Sequence, residues 1–590
     1  MARTTSYRGY ADATRRFDIE PSPGRERNRF NYVAKRHCTF DAGKLVPFMH
    51  FPCLPGDDLL FSPKFLVRLS NALVSPLMDE IIVNFYFFKS YNRFVFEDWN
   101  AFMGEHIQQD PDYDESGDNI GGQSLKEPPF NSPGQYELPT MTIKSSTEGQ
   151  PAFAIGSLYD NMALPYNVGN NGYEIQTLPL RHYNLIYNEY FRNENLQAFA
   201  PVPKSIGPDK MSQFQIMPVT KYADYFTGSL PFLQKGPNVS IGLTGDVPVI
   251  GDGGALGMYD GTNYSGFYTG KYGADLSGDV YGKPTGASIN PSTYPPSSHA
   301  FGITTDPTNS GAIALLSQSQ AVALAQIRLA FQLQRFYEGQ ARSGTRYIEY
   351  VHFMFNEYIS DAQLQRPEFI GGGKFYININ PVAQTSNNTS EVSPLGTLAA
   401  FGVSYHREPN RIFTHCSEHG YIIGLMCVRT NLTYQQGLRR DWSYRDRFDF
   451  YTPTLAHLAE QAVLNKEICT TGIQAYDNDV FGYIGRYDEY RTILGEVTGY
   501  FRSNAPGTLQ SYHLAEYFDT SNPGSEADNF PGLPHLNALF VTQPSNIIDR
   551  VLNITSQAPN VPQFLCDFSC SVRATRVVSK YGIPGFADHF

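Results

Sequence analysis

The stretch Met78–Glu105, MDEIIVNFYFFKSYNRFVFEDWNAFMGE, decides how the rest of the chain is read. Ile81–Phe88 is eight residues of Ile, Val, Asn, Phe and Tyr without Gly or Pro. β-Branched and aromatic residues at that density fit a pleated strand buried on both faces. The run is far short of the roughly 20 apolar residues that cross a bilayer, so its place is the middle of a packed sheet. Lys89–Phe94 is expected to turn the chain. Glu97–Met103 then carries Trp99, Phe102 and Met103 at helical spacing.

Working outward, 590 residues exceed one ordinary domain, yet the composition does not divide into several. Charged residues make up 17%, below the roughly 25% usual for soluble domains, while aromatics reach 14%. A chain with so little solvated charge has surfaces suited to contact. With 51 Gly and 40 Pro punctuating short apolar runs, the expected class is an all-β sandwich with long insertions. Helical segments fall between strand runs without regular alternation, which excludes a doubly wound α/β fold.

The net charge of −12 is unevenly placed. Residues 1–40 hold nine Lys/Arg against four acids, a net +5, so the other 550 residues carry −17. A basic arm on an acidic body suits a nucleic-acid contact; it also suits a solvated tail. Seven cysteines, an odd number, read as reduced packed thiols. The N-terminal segment shows no apolar secretory core, and no window has the length and apolarity of a membrane helix.

Along the chain, residues 1–36 read as an extended arm. Thr39–Pro47 and Met49–Pro55 read as strand pieces interrupted by Pro, and Pro55–Asp58 as a turn. Residues 106–180 are turn-rich. Pro179–Phe199 places Tyr183, Ile186, Tyr187, Tyr190 and Phe191 at helical spacing, an amphipathic helix whose aromatics belong to a core. Residues 239–311 are anomalous, with 15 Gly and six Tyr. Tyr gives contact area at low entropy cost, so an ordered recognition projection is expected, the alternative being a flexible linker. A helix is expected over 312–342. Strands are expected at Arg346–Phe355, Phe375–Ile379, Arg411–Thr414, Tyr421–Arg429 and Phe564–Val578, a short helix at Thr454–Leu464, and a turn at Gly371–Gly373.

Catalytic motifs are scarce. His415-Cys416-Ser417-Glu418-His419 matches H-x-x-E-H. That chemistry needs both His on one helical turn, whereas Gly420 and a strand run follow at once. Cys566 and Cys570 lie in a strand with no second ligand pair nearby. No phosphate loop, nucleophile elbow or dinucleotide fingerprint is present. The residues point away from catalysis, towards a β-scaffold with long arms that assembles with itself and meets nucleic acid.

Several runs carry a family likeness: TFDAGKLVP (39–47), LPGD (54–57), FVFEDWNAFMGE (94–105), YNLIYNEYFRNENLQ (183–197), ADYFTGSLPFLQKGP (223–237), GTRYIE (344–349), QLQRPEFIG (363–371), EHGYIIGLMCVRTNLTYQQGL (418–438), AHLAEQAVLNKE (456–467) and PGFADHF (584–590). In these the chain resembles the major capsid proteins of microviruses, small single-stranded DNA bacteriophages, and most of all their gokushovirus branch. The resemblance implies an eight-stranded viral jelly roll with long loop insertions containing several helices. It implies pentamers that build a small icosahedral T=1 shell around circular single-stranded DNA. It also implies a small basic DNA-binding protein, an internal scaffolding protein and a minor pilot protein as partners, a host surface receptor, and assembly in the bacterial cytoplasm without cofactor, metal or membrane insertion. Residues 1–38 would then be a basic arm and 39–590 one jelly-roll domain, with 239–311 as a surface protrusion at the threefold axis. Candidate DNA contacts are Arg15, Arg16, Arg25, Arg27 and Arg29, with a second patch at Arg573, Arg576 and Lys580. Candidate receptor contacts are Tyr259, Tyr264, Tyr268, Tyr272 and Tyr281. Two other functions stay open: a non-enzymatic carbohydrate-binding adhesin or tail-fibre-like module, and a metallohydrolase at His415 and His419.

Overall fold

The structure is a computed structural model. It describes residues 27–103, 137–144, 154–166, 172–239, 324–383, 398–458, 460–525, 529–553 and 561–580, and only short strand segments between 240 and 323. The chain forms two compact units, one of residues 1–233 with 343–590 and one of residues 234–342.

The larger unit is built on ten strands: β1 (Asn28–Phe40), β2 (Val46–Cys53), β3 (Asp57–Leu69), β4 (Ile81–Tyr91), β5 (Glu368–Tyr376), β6 (Asn378–Ala383), β7 (Leu398–Arg407), β8 (Ile412–Cys416), β9 (Gly420–Thr430) and β10 (Phe564–Arg576). Three helices matter here: α1 (Leu178–Ile186), α2 (Leu324–Arg342) and α3 (Tyr347–Phe355). One antiparallel sheet runs β1-β10-β3-β7-β6, with β8 also paired to β3. The other runs β5-β4-β9-β2. Their inner faces share one core. At its centre the Phe65 ring of β3 lies 5.3 Å from Phe48, 4.8 Å from Phe85, 5.7 Å from Phe375 and 5.2 Å from Phe568. One side chain of the first sheet thus touches three strands of the second, the architecture of a β-sandwich.

The outer faces differ. Phe88 of β4 and Ile423, Leu425 and Cys427 of β9 point away from the shared core into a second apolar cluster, formed with Leu180, Tyr183 and Ile186 of α1 and with Tyr187 and Phe191 beyond it. This is why Ile81–Phe88 has no polar alternation: both of its faces are covered. Beneath α1, Arg181 donates to both carboxylate oxygens of Asp209 at 2.7–2.8 Å. His182 bridges Ser90 and Asn92. The helix expected over 179–199 is therefore present as α1, continuing in a π turn over Tyr187–Phe191.

Several expectations need correction. Pro47 and Pro52 do not break β2. It is an edge strand, where a missing N–H is tolerated, and a bulge opposite Gly424 and Leu425 absorbs the irregularity. A Cβ on Gly424 would stand 2.5 Å from the Phe48 ring, so only glycine lets the two strands close. Gly371–Gly373 is not a turn; it lies in β5, bulged after Phe369. A Cβ on Gly372 would sit 2.4 Å from the Phe85 carbonyl oxygen. Arg346–Phe355 is helical, not extended. Glu349 accepts from the Arg346 backbone N–H at 3.1 Å, and Asn356 ends the helix in the left-handed region. Over Thr454–Leu464 a single 3-10 turn, Pro453–Leu455, precedes the strand Gln461–Leu464. Beyond Phe94 the expected helix is one turn, Trp99–Phe102. Residues 28–36 belong to β1, paired to β10 along its whole length, so the boundary set at 38 falls inside a strand. In the smaller unit α2 is described over Leu324–Arg342, and within the stretch expected to be helical Ile313–Ala314 pairs with Val249–Ile250 instead.

Candidate nucleic-acid interface

Alternation along β3 makes the site. Leu59, Phe61, Phe65, Val67 and Leu69 face the core, so Asp58, Leu60, Ser62, Lys64, Leu66 and Arg68 must face the other way. Antiparallel register carries that division across the sheet, giving rows of side chains on its outer face. One row is Lys35–Ser569–Lys64–Arg407. Beside it on one side runs His37–Asp567–Leu66–Tyr405, and further along lies Asn31–Arg573–Leu60–Phe413. At one end stands Arg29–Thr575–Asp58–His415, at the other Arg68 beside Val403.

No described element covers this face as α1 covers the other sheet: Tyr405 is 65% exposed and Phe413 62%. The rows hold Arg29, Lys35, Lys64, Arg68, Arg407 and Arg573 against the two acids Asp58 and Asp567. Both acids are engaged. His415 Nδ1 lies 2.7 Å from Asp58 Oδ1 and Arg27 Nη2 lies 2.8 Å from Asp58 Oδ2. Desolvation opposes ionisation of Asp58, but the His415 hydrogen bond and the Arg27 charge prevail and hold its pKa below the ordinary carboxylate value. Asp567 stands between Lys35 at 3.8 Å and His37 at 3.5 Å. Arg29, Lys64, Arg68, Arg407 and Arg573 have no ion-pair partner among the described residues. Unpaired cations interleaved with exposed aromatic rings form a surface able to hold phosphates and stack bases.

A scan of family descriptions matches residues 21–586 to the capsid protein (F protein) family. The chain belongs to that family. The capsid protein VP1 of Chlamydia phage 1 is 36% identical, and the alignment covers 97% of each chain. VP1 of Bdellovibrio phage phiMH2K is 35% identical with the same coverage, and VP1 of Spiroplasma virus 4 is 29% identical over 95% of each chain. The likeness read from the sequence is borne out, and this capsid protein has a structural rather than catalytic role.

Of the arginines singled out in the sequence, Arg29 and Arg573 lie on the exposed face of the capsid protein. Arg27 is occupied by Asp58 and by the Gly56 carbonyl. Arg576 turns to the other side of β10: Nη2 reaches Asp57 Oδ2 at 2.9 Å and the Pro52 carbonyl at 2.6 Å, and its guanidinium covers the Phe51 ring. Lys580 is exposed beyond the end of β10. Arg15, Arg16 and Arg25 lie outside the described residues, as do Tyr268, Tyr272 and Tyr281. Tyr259 and Tyr264 are register partners in a short hairpin. The sequence reading did not single out Lys35, Lys64, Arg68, Arg407, Tyr405 or Phe413 as site residues. The signal for two of them was visible: Lys64 and Arg68 alternate with apolar residues in a strand that is otherwise core.

The H-x-x-E-H letters are dispersed over the β8–β9 hairpin. His415 ends in β8 against Asp58, Glu418 accepts from Arg93 Nε at 2.6 Å, and the His419 ring packs 5.8 Å from Trp99. All seven cysteines are free thiols. Among the described residues no helix is long and apolar enough to cross a membrane.

Proposed function

We propose that this capsid protein builds a T=1 icosahedral shell around circular single-stranded DNA, and that the bare outer face of the β1-β10-β3-β7 sheet is turned to the genome. The observation that carries this reading is the excess of unpaired Arg and Lys on an uncovered sheet, in a chain whose net charge is −12. A polyanion is the partner such a face accommodates. Two four-stranded halves, β1-β10-β3-β7 and β2-β9-β4-β5, support the finer description of the fold as an eight-stranded jelly roll. The N-terminal arm, with Arg15, Arg16 and Arg25, runs into β1 at the edge of the basic face and extends the same contact. The segment 239–311, with Tyr259, Tyr264, Tyr268, Tyr272 and Tyr281, serves host attachment. A small basic DNA-binding protein, an internal scaffolding protein and a pilot protein complete assembly in the bacterial cytoplasm.

The test is the triple variant Lys35→Gln, Lys64→Gln, Arg407→Gln, which removes one row. Each cation lost should lower the slope of log affinity for a single-stranded oligonucleotide against log salt by about 0.7. The DNA content of the particles should fall with it. An unchanged slope and full particles would place the genome on another surface.

A further inference from the structure

The long connection between β9 and β10, residues 431–563, holds a groove of about 440 Å³ between its 434–444 and 489–502 segments. Its floor is polar but spent. Arg440 Nη1 bonds Glu467 Oε1 at 3.1 Å, the Tyr225 hydroxyl donates to Glu467 at 2.9 Å, and the Tyr444 hydroxyl donates to Glu489 at 3.2 Å. What the groove offers outward is apolar. Trp442 is 76% exposed and Ile493 98% exposed, with Tyr490 half-exposed between them. Around them the rim is charged in both signs, Arg439 lying 3.1 Å from Asp441 and 3.5 Å from Glu496.

A Trp and an Ile exposed to this degree around one groove leave apolar area in water that a partner would gain by covering. An apolar centre inside a polar rim is the anatomy of a protein–protein contact. The lining sets Asp441, Glu467, Glu489 and Glu496 against Arg439, Arg440 and Arg502, so it has no excess of positive charge to hold the genome. The balanced rim fits a partner of mixed charge, and a subunit of a capsid family works surrounded by copies of itself.

We infer that this groove is a subunit–subunit contact, closed by a second copy of the chain when the shell forms. The inference rests on the capsid reading and adds where one copy meets the next. The chain has two tryptophans, Trp99 and Trp442, so Trp99→Phe leaves Trp442 as the sole indole reporter. In assembled particles its emission should shift to the blue, and acrylamide should quench it several-fold less than in dissociated subunits. Equal quenching in the two states overturns the inference. If Trp99→Phe prevents assembly, hydrogen exchange of 437–444 and 489–498 in wild-type particles against subunits decides the same question. Protection in particles supports the contact, and equal exchange rejects it. Ile493→Asp should leave the subunit's circular dichroism unchanged and lower particle yield by about tenfold or more. Normal yield from that variant also counts against it. Absence of particles from the wild type would instead challenge the capsid reading.

Discussion

The two sheets of the sandwich share one core and differ on their other sides. The strands β4 and β9 are buried in nearly every position because α1 and its neighbours cover their outer face. The strand β3 and its partner β10 alternate strictly, burying every second residue and presenting Lys64, Arg68 and Arg573 between. A strand's sequence therefore records how many of its faces are dry. In this capsid protein the wet face is also the basic one.

The comparison is broken most directly by placing the same charge on both faces. Leu425→Lys puts an ammonium into the covered cluster, where no described acid waits for it. We expect a loss of at least about 4 kcal/mol from lost packing and an unpaired buried charge. Leu66→Lys on the bare face should stay within about 0.5 kcal/mol. Chemical denaturation of the two variants side by side reads the difference, and equal effects would mean that the bare face is buried in the free subunit.

A second test separates two arginines three residues apart. Arg576→Gln leaves the fully buried Asp57 carboxylate without its ion-pair partner, with the Leu54 backbone N–H still donating to it, and should cost about 3 kcal/mol. Arg573→Gln should barely change stability and should instead weaken the salt dependence of DNA binding. The reverse pattern would interchange their roles.

The smallest expected effect concerns the covered side. Burial, with help from the neighbouring Arg181 charge, lowers the pKa of His182 to about 3. Its ordinary value is about 6.5, so the unfolded chain takes up the proton first as pH falls. The contribution of the neutral imidazole is complete above about pH 6.5 and declines from there towards pH 3, at no more than about 1.4 kcal/mol per pH unit. Between pH 7 and pH 5 the wild type should lose about 2 kcal/mol more than His182→Gln. Parallel pH profiles would show that the imidazole is hydrated in the native state.

Much of the fold was legible because its signals are local. Ile81–Phe88 announces a strand dry on both sides, Phe564–Val578 a final strand, and 183–191 a helix with an aromatic core stripe. The misreadings share a cause. Arg346–Phe355 is rich in aromatic and β-branched residues, which suggests a strand, while its polar residues Arg346, Glu349 and His352 stand three apart, a helical spacing. The backbone cap from Glu349 to Arg346 then decides for helix. Gly371–Gly373 reads as a turn until β4 is seen pressing against it, where no side chain fits.

The sequence by itself determined the family, the sandwich class and the dry strands, since each depends on composition or on residues close together in the chain. Only the tertiary structure decided which cations lie together. Lys35 and Lys64 come from different strands, Arg407 and Arg573 lie hundreds of residues further along, and a period of two says which way each points but not which strand lies beside it. Register between distant strands, fixed by the whole core closing at once, brings them onto one face and turns Arg576 away from it.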